Sequence, residues 1–433
     1  MKNINVPVGI SNFEKIRQDG YYYVDKTGLI KDMLKNKIPE VTLITRPRRF
    51  GKTLAMSMLA SFFDIRRDSK KLFQGLDISK EQQLCNDWMN QYPTLFLSFK
   101  DVDGTIFENA LGLLQFTIAE LCKKHTYLIE SDVVDQDDKE TFRKLKSMGS
   151  NLPELQGSII MLMNMMKAYY NKPVILLIDE YDVPIAKASS NGYYKEMLEV
   201  MKAMLSTALK DNEALKFAVV TGCLKIAKES VFTGTNNFVS DTISSERYNE
   251  YYGFTQKDVD QILQDAQIEE KASDIKEWYD GYRFGNVDVY CPWDVINYCS
   301  DHIANQECAP KNYWVNTSGN DVIHRFINSI YEPQKLTKLE LEHLVNGGSV
   351  QKEISQEMTY KELYSSIDNL WSTLFMTGYL TSRSNTDGNR YDLVIPNREI
   401  RNIITEHILK LFKENIKQDG QKAVSYTHLT LPT

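Results

Sequence analysis

Residues 41–54 read VTLITRPRRFGKTL, and the order of their parts decides the fold. Val41–Thr45 is a β-branched run that reads as a short buried strand, and Leu54–Phe63 reads as an apolar helix. The octet between them, Arg46–Thr53, therefore closes a strand and opens a helix. A loop so placed aims successive backbone N–H groups at an anion, and the helix dipole favours negative charge there. Gly51 allows close backbone approach, Lys52 is placed to reach β- and γ-phosphates, and the Thr53 hydroxyl can ligate Mg²⁺. Arg49, Phe50, Gly51, Lys52, Thr53 and Leu54 form the candidate ATP-contacting set. The octet departs from G-x-x-x-x-G-K-[ST] at its first position, where Arg46 replaces glycine and Pro47 offers another way to fix the turn. Arg48 and Arg49 either add positive charge beside the phosphates or simply solvate the loop.

The next informative stretch is PVILLIDEYD, residues 173–182, an apolar strand ending in Asp179-Glu180. Parallel sheets place their ligand crevice at the carboxyl ends of the strands. Asp179 is therefore expected to hold Mg²⁺, and Glu180 to polarise the attacking water, with Lys52 as its catalytic partner at the phosphates. The strand KFAVVTG, residues 216–222, ends in Thr221, a candidate γ-phosphate sensor. Arg247 or Arg283 is the candidate arginine finger. No N-K-x-D guanine-reading motif is present, so the expected nucleotide is ATP.

Around these motifs, strand and helix patterns alternate: Tyr21–Val24, Thr94–Phe99 and Phe217–Thr221 as strands, Phe107–Lys123, Leu155–Tyr170 and Tyr194–Lys210 as helices. Thr27 is expected to cap a helix running to about Asn36, and charged Glu130–Lys146 to be a connection. This pattern indicates an α/β fold, a P-loop NTPase core with a mainly parallel sheet covered by helices, followed by a mostly helical second domain. The expected boundaries are 1–250 for the core and 251–331 for a helical lid or winged-helix-like domain. A C-terminal helical linker region, 332–422, follows, and 425–433 has the pattern of a non-native tail. The 433 residues suit more than one domain, and a net charge of −7 argues against a globally basic nucleic-acid binder. Six cysteines without a C-x-x-C pair, and no apolar run long enough to span a bilayer, fit a reduced, cytoplasmic protein with no membrane partner. Six histidines show no paired metal-ligand spacing, and Met161–Met166 reads as helix core.

The succession VGISNFEKIRQDGYYYVDKT, RPRRFGKTL, LLIDEYD, VVTGCLKIAKESVFTGTNN, YYGFT, WYDGYRFG with VYCPWDVIN, and NYWVNTSGN resembles the bacterial AAA-ATPase-like family up to about Asn397. The resemblance implies ATP binding and hydrolysis, with Gly51, Lys52 and Thr53 as phosphate and magnesium contacts and Asp179 and Glu180 as the acidic pair. An arginine at the first octet position is usual in that family. Its members often continue into a PD-(D/E)XK nuclease-like domain, which is missing here although Phe375–Leu380 and Val394–Ile400 match the segments that precede it. The resemblance thus also implies a DNA or protein client through such a domain, and it is compatible with an oligomer. A nucleotide-dependent switch with little turnover, or the ATPase part of a DNA-processing nuclease, are the alternative functions.

Overall fold

The computed structural model describes residues 4–35, 38–225, 238–314, 323, 326–327 and 335–418. The second halves of VVTGCLKIAKESVFTGTNN and NYWVNTSGN, and the segment 425–433, lie outside the described residues.

Five strands, β1 (Val41–Thr45), β2 (Thr94–Ser98), β3 (Val174–Asp179), β4 (Leu215–Gly222) and β5 (Phe238–Asp241), form one sheet in the order β2-β3-β4-β1-β5. Every pairing in it is parallel. All residues of β1 and β3 are buried, as expected of central strands with helices over both faces. The helix Lys52–Phe63 packs on β2, β3 and β4 and buries nine of its residues, which is why its sequence is apolar nearly all round. Met161, Met163, Met165 and Met166 are buried in the helix Ser158–Tyr170. In register, Ile178 lies beside Val220, and Thr45 beside Gly222. The ends of β1, β3 and β4 thus meet at one edge, with β4 between the other two.

Several local expectations are corrected. Tyr21–Val24 joins no ladder; the Tyr22 N–H donates to the Asn5 carbonyl at 2.7 Å, and Tyr22 and Val24 pack on the apolar cluster that includes Val259 and Ile262. Thr27 turns its hydroxyl onto Asp25, whose carboxylate also accepts the Thr27 amide, so it does not cap the helix Gly28–Lys35. The charged stretch contains a helix, Gln136–Lys146. Asp135 caps it, Asp137 and Asp138 sit in its first turn, and Arg143, Lys144 and Lys146 in its last, complementing the helix dipole, while Phe142 and Leu145 anchor it to the core.

Beyond the sheet, the helices Gln256–Ala266, Ala272–Tyr279 and Pro292–Ala304 surround a separate apolar cluster, with a hairpin of β6 (Tyr282–Phe284) and β7 (Val287–Val289). The N-terminal segment is stitched to this unit through Lys26–Asp258 at 2.6 Å and Tyr22–Asp265 at 2.8 Å. The C-terminal segment carries the helices Lys335–Val345, Ile367–Thr377 and Arg398–Gln418 and, beyond the helical expectation, an antiparallel sheet of β8 (Val350–Glu353), β9 (Thr381–Asp387) and β10 (Arg390–Val394), in the order β8-β10-β9. Strands this short and polar are stable only once paired and packed, here with the helix Ile367–Thr377. Gly378 ends that helix at φ 89°, and a Cβ there would come within 2.9 Å of the Pro47 side chain. The C-terminal unit therefore lies directly against the octet loop. Its Trp371 and Phe375 belong to the same apolar cluster as Met56 and Ile178 of the parallel-sheet core.

Two buried carboxyls, Asp294 on the helix Pro292–Ala304 and Glu399 on the helix Arg398–Gln418, sit side by side, and Glu399 accepts the Trp314 amide at 2.7 Å. Burial raises both, and the neighbouring Asp294 raises Glu399 further. Their folded values lie above the unfolded ones, so the native state holds extra protons and loses stability as pH climbs above the ordinary carboxylate range. Glu399→Gln, which stays neutral, should flatten that decline by up to about 1.4 kcal/mol per pH unit. Urea midpoints taken across a pH series check this.

Candidate functional site

The octet loop is built on two left-handed residues, Arg49 at φ 74° and Gly51 at φ 82°. Gly51 is the N-cap of the helix Lys52–Phe63 and no side chain caps it, so the first amides of the helix keep their hydrogen-bonding capacity for an anion. The Lys52 ammonium is folded back on its own loop. It donates to the carbonyls of Arg46 and Pro47, both at 2.9 Å, and lies 3.7 Å from the Cys223 sulfur.

Asp179 is fully buried at the end of β3. One carboxylate oxygen accepts the Thr53 hydroxyl at 2.8 Å, and the other accepts the Thr221 hydroxyl at 2.6 Å. The three candidate positions from the octet, β3 and β4 thus converge on one carboxylate. A threonine hydroxyl beside an aspartate is a hard-oxygen donor pair of the kind that suits Mg²⁺. Glu180 follows with φ 53°, an uncommon backbone conformation for a residue with a side chain, and it is half-buried. Burial and then the Asp179 charge push its carboxyl above the ordinary glutamate range.

Two further residues complete the rim. Asp182 is buried, accepts the amides of Cys223 at 2.9 Å and Leu224 at 3.1 Å, and so fixes the turn after β4. Gly222 leaves room for this: a Cβ there would lie 2.6 Å from the Tyr181 ring and 2.7 Å from the Asp182 carboxylate. Asp182 and Cys223 did not stand out in the sequence. The only hint was a third acidic residue in DEYD and a polar residue straight after the β4 glycine.

Arg46 explains the missing glycine. Its guanidinium is fully buried, pairs with Asp241 at 2.6 Å, donates to the Thr45 and Asp241 carbonyls, and lies over the rings of Tyr252 and Phe284. It ties the start of the loop to β5 and the hairpin rather than facing the cradle. Phe50 packs edge-on to Tyr282 and against Phe284, each at 4.9 Å between ring centroids, so it can offer a ligand only its backbone. Leu54 packs into the core in the same way. Arg49 stacks on Trp293, 3.8 Å from the ring centroid. Arg247 lies over Tyr248, and Arg283 pairs with Asp288 at 2.9 Å; no contact among the described residues brings either to Lys52 or Asp179.

Comparison with known proteins agrees with this architecture. The family model described as "Predicted AAA-ATPase" matches residues 7–232, which is half of the chain and holds the octet, Asp179-Glu180 and Thr221. The chain belongs to this AAA-ATPase-like family. It is also similar to a protein of Azotobacter chroococcum mcd 1 described as "Uncharacterized protein in vnfD 5'region", 27% identical over 419 residues, covering 94% of this chain and 70% of that protein. Membership makes the octet a P-loop of a nucleotide-binding kind, with Arg46 as its first residue. Among the described residues, no helix is long and apolar enough to cross a membrane.

Removing one partner of a buried ion pair leaves the other charge uncompensated, at a cost of about 3–5 kcal/mol. Arg46→Met should destabilise the chain by that amount, and adding Asp241→Leu should recover much of it. Chemical unfolding of the two variants tests this.

Proposed function

We propose that this chain binds ATP with Mg²⁺ and hydrolyses it to ADP and phosphate, coupling turnover to motion between the parallel-sheet core and the units packed on it. The observation that carries this reading is the meeting of the Thr53 and Thr221 hydroxyls on the two oxygens of Asp179. Thr53 and Asp179 would hold Mg²⁺, which when bound neutralises charge on the phosphates. Lys52 exchanges the carbonyls of Arg46 and Pro47 for β- and γ-phosphate oxygens, and the amides from Arg49 to Leu54 cradle the rest. Thr221, whose hydroxyl donates to the other oxygen of the Asp179 carboxylate, would sense the γ-phosphate. Glu180 orients the attacking water and accepts its proton; a carboxyl raised by burial is better matched to that task than an ordinary one.

A nucleotide-dependent switch with little turnover is the second reading. It is favoured by the Lys52 ammonium already satisfied within its own loop and by the C-terminal unit seated on Pro47. Phosphate release and ATP binding separate the two. Lys52→Ala should weaken binding and abolish release. Glu180→Gln should keep binding but lower release by about 10²–10⁴-fold. Equal, negligible release by the unmodified chain and Glu180→Gln, with binding intact, supports the switch; no ATP binding at all sinks both. If Glu180 is the base, the acid limb of the kcat/KM profile, which reports the free chain, should lie above the ordinary glutamate range, because its raised carboxyl must lose a proton to work.

A further inference from the structure

The Lys52 ammonium is folded back on its loop, and the groups that keep it there are themselves held from outside. Those groups are the carbonyls of Arg46 and Pro47, each at 2.9 Å, and the Cys223 sulfur at 3.7 Å; Lys52 is buried among them. Pro47 abuts Gly378 of the C-terminal unit, where an added Cβ would come within 2.9 Å of the proline side chain. Cys223 lies on a turn that the same unit grips twice. The Tyr360 hydroxyl reaches, at 3.4 Å, the Asp182 oxygen that accepts the Cys223 and Leu224 amides, and Glu357 pairs with Lys225 at 2.6 Å. Gln356 adds a bond to the Ser244 hydroxyl at 2.8 Å, just beyond the end of β5. One short stretch, residues 356–360, together with Gly378, thus braces both segments that enclose the ammonium.

We infer that residues 356–360 and Gly378 form an autoinhibitory brace, which keeps Lys52 folded back and so holds the nucleotide site in a form that binds ATP weakly. The inference rests on the ATP-binding reading above and applies to the hydrolase and the switch alike. To reach β- and γ-phosphate oxygens, the ammonium must leave two carbonyls and clear the Cys223 sulfur. Every contact that fixes the loop and the turn in the resting arrangement therefore opposes the nucleotide. The apparent affinity falls in proportion to the fraction of chains in the released form. By linkage the converse holds: ATP that prefers the released form weakens the brace by the same factor. The contacts suit such a device because each is weak alone. One is an ion pair open to water on the Glu357 side, one a long hydroxyl contact, and one a steric abutment. Together they bias the site without locking it.

The test uses the full chain in a Glu180→Gln background, so that ATP with Mg²⁺ stays unhydrolysed while calorimetry measures its affinity. Glu357→Gln, Lys225→Met and Tyr360→Phe each release one contact of the brace. Lys225 and Glu357 lie partly in water and phenylalanine keeps the Tyr360 ring, so all three should fold, and far-UV circular dichroism verifies it. Each should bind ATP about two- to fivefold more tightly than the parent. Lys225→Met separates the brace from simple electrostatics: losing a cation near a polyanion weakens binding, whereas releasing the brace strengthens it. The double variant Lys225→Met with Glu357→Gln should match either single one, because both break the same contact. Independently, saturating ATP with Mg²⁺ should speed amide hydrogen exchange across residues 355–360 of the parent. Unchanged or weaker affinity in Lys225→Met and Tyr360→Phe overturns the inference, and so does exchange that ATP leaves unchanged or slows. If neither the parent nor any variant binds ATP, the ATP-binding reading itself has failed and the brace falls with it; binding by the parent that the variants do not improve sinks the brace alone.

Discussion

The buried carboxylate of Asp179 gathers three separate pieces of chain. Its two oxygens accept hydroxyls from Thr53, at the start of the helix after β1, and from Thr221, at the end of β4. A buried carboxylate without such donors carries a heavy desolvation cost, so the position constrains both threonines as much as they constrain it. The strand order puts β4 between β1 and β3, so this three-way contact bridges the carboxyl edge of the sheet. Moving any one strand by a residue would turn its side chain to the other face and break the contact.

Around that point the backbone is bent in ways that need outside support. Arg49, Gly51 and Glu180 all adopt positive φ, and only one of them is glycine. Such conformations cost of order 1–3 kcal/mol each where a side chain is present and persist only if neighbours enforce them. Here Arg46 is clamped to Asp241, Phe50 is seated between Tyr282 and Phe284, and Arg49 lies on Trp293. The loop is therefore held from three directions by side chains that do not face the cradle, and its amides stay arranged without a ligand to arrange them.

Those same anchors connect the loop to the rest of the chain. Tyr282, Phe284 and Trp293 come from the segment after the sheet, and Gly378 of the C-terminal unit abuts Pro47. Lys225 and Glu357 pair at 2.6 Å, and the Tyr360 hydroxyl reaches Asp182 at 3.4 Å, so the turn after β4 touches the C-terminal unit as well. A displacement at the loop or at that turn thus has direct mechanical contact with both outer units, which is the physical requirement for coupling a local event to domain motion.

The sequence by itself determined the parallel-sheet core and the two ends of the site. An apolar β-branched run, a Gly-Lys-Thr loop and an apolar helix admit one local arrangement, and an apolar run closed by Asp179-Glu180 admits one placement at a strand's carboxyl end. Short-range periodicity carries that much because each element's burial pattern is written in its own residues. Tertiary structure alone decided what stands next to what. It made Arg46 a buried anchor and brought Asp182 and Cys223 to the rim. It also folded the polar C-terminal segment into β8, β9 and β10 against the loop. The reason is that a guanidinium, a thiol or a short polar strand has no fixed role in local sequence; its energy depends on the partner the fold supplies.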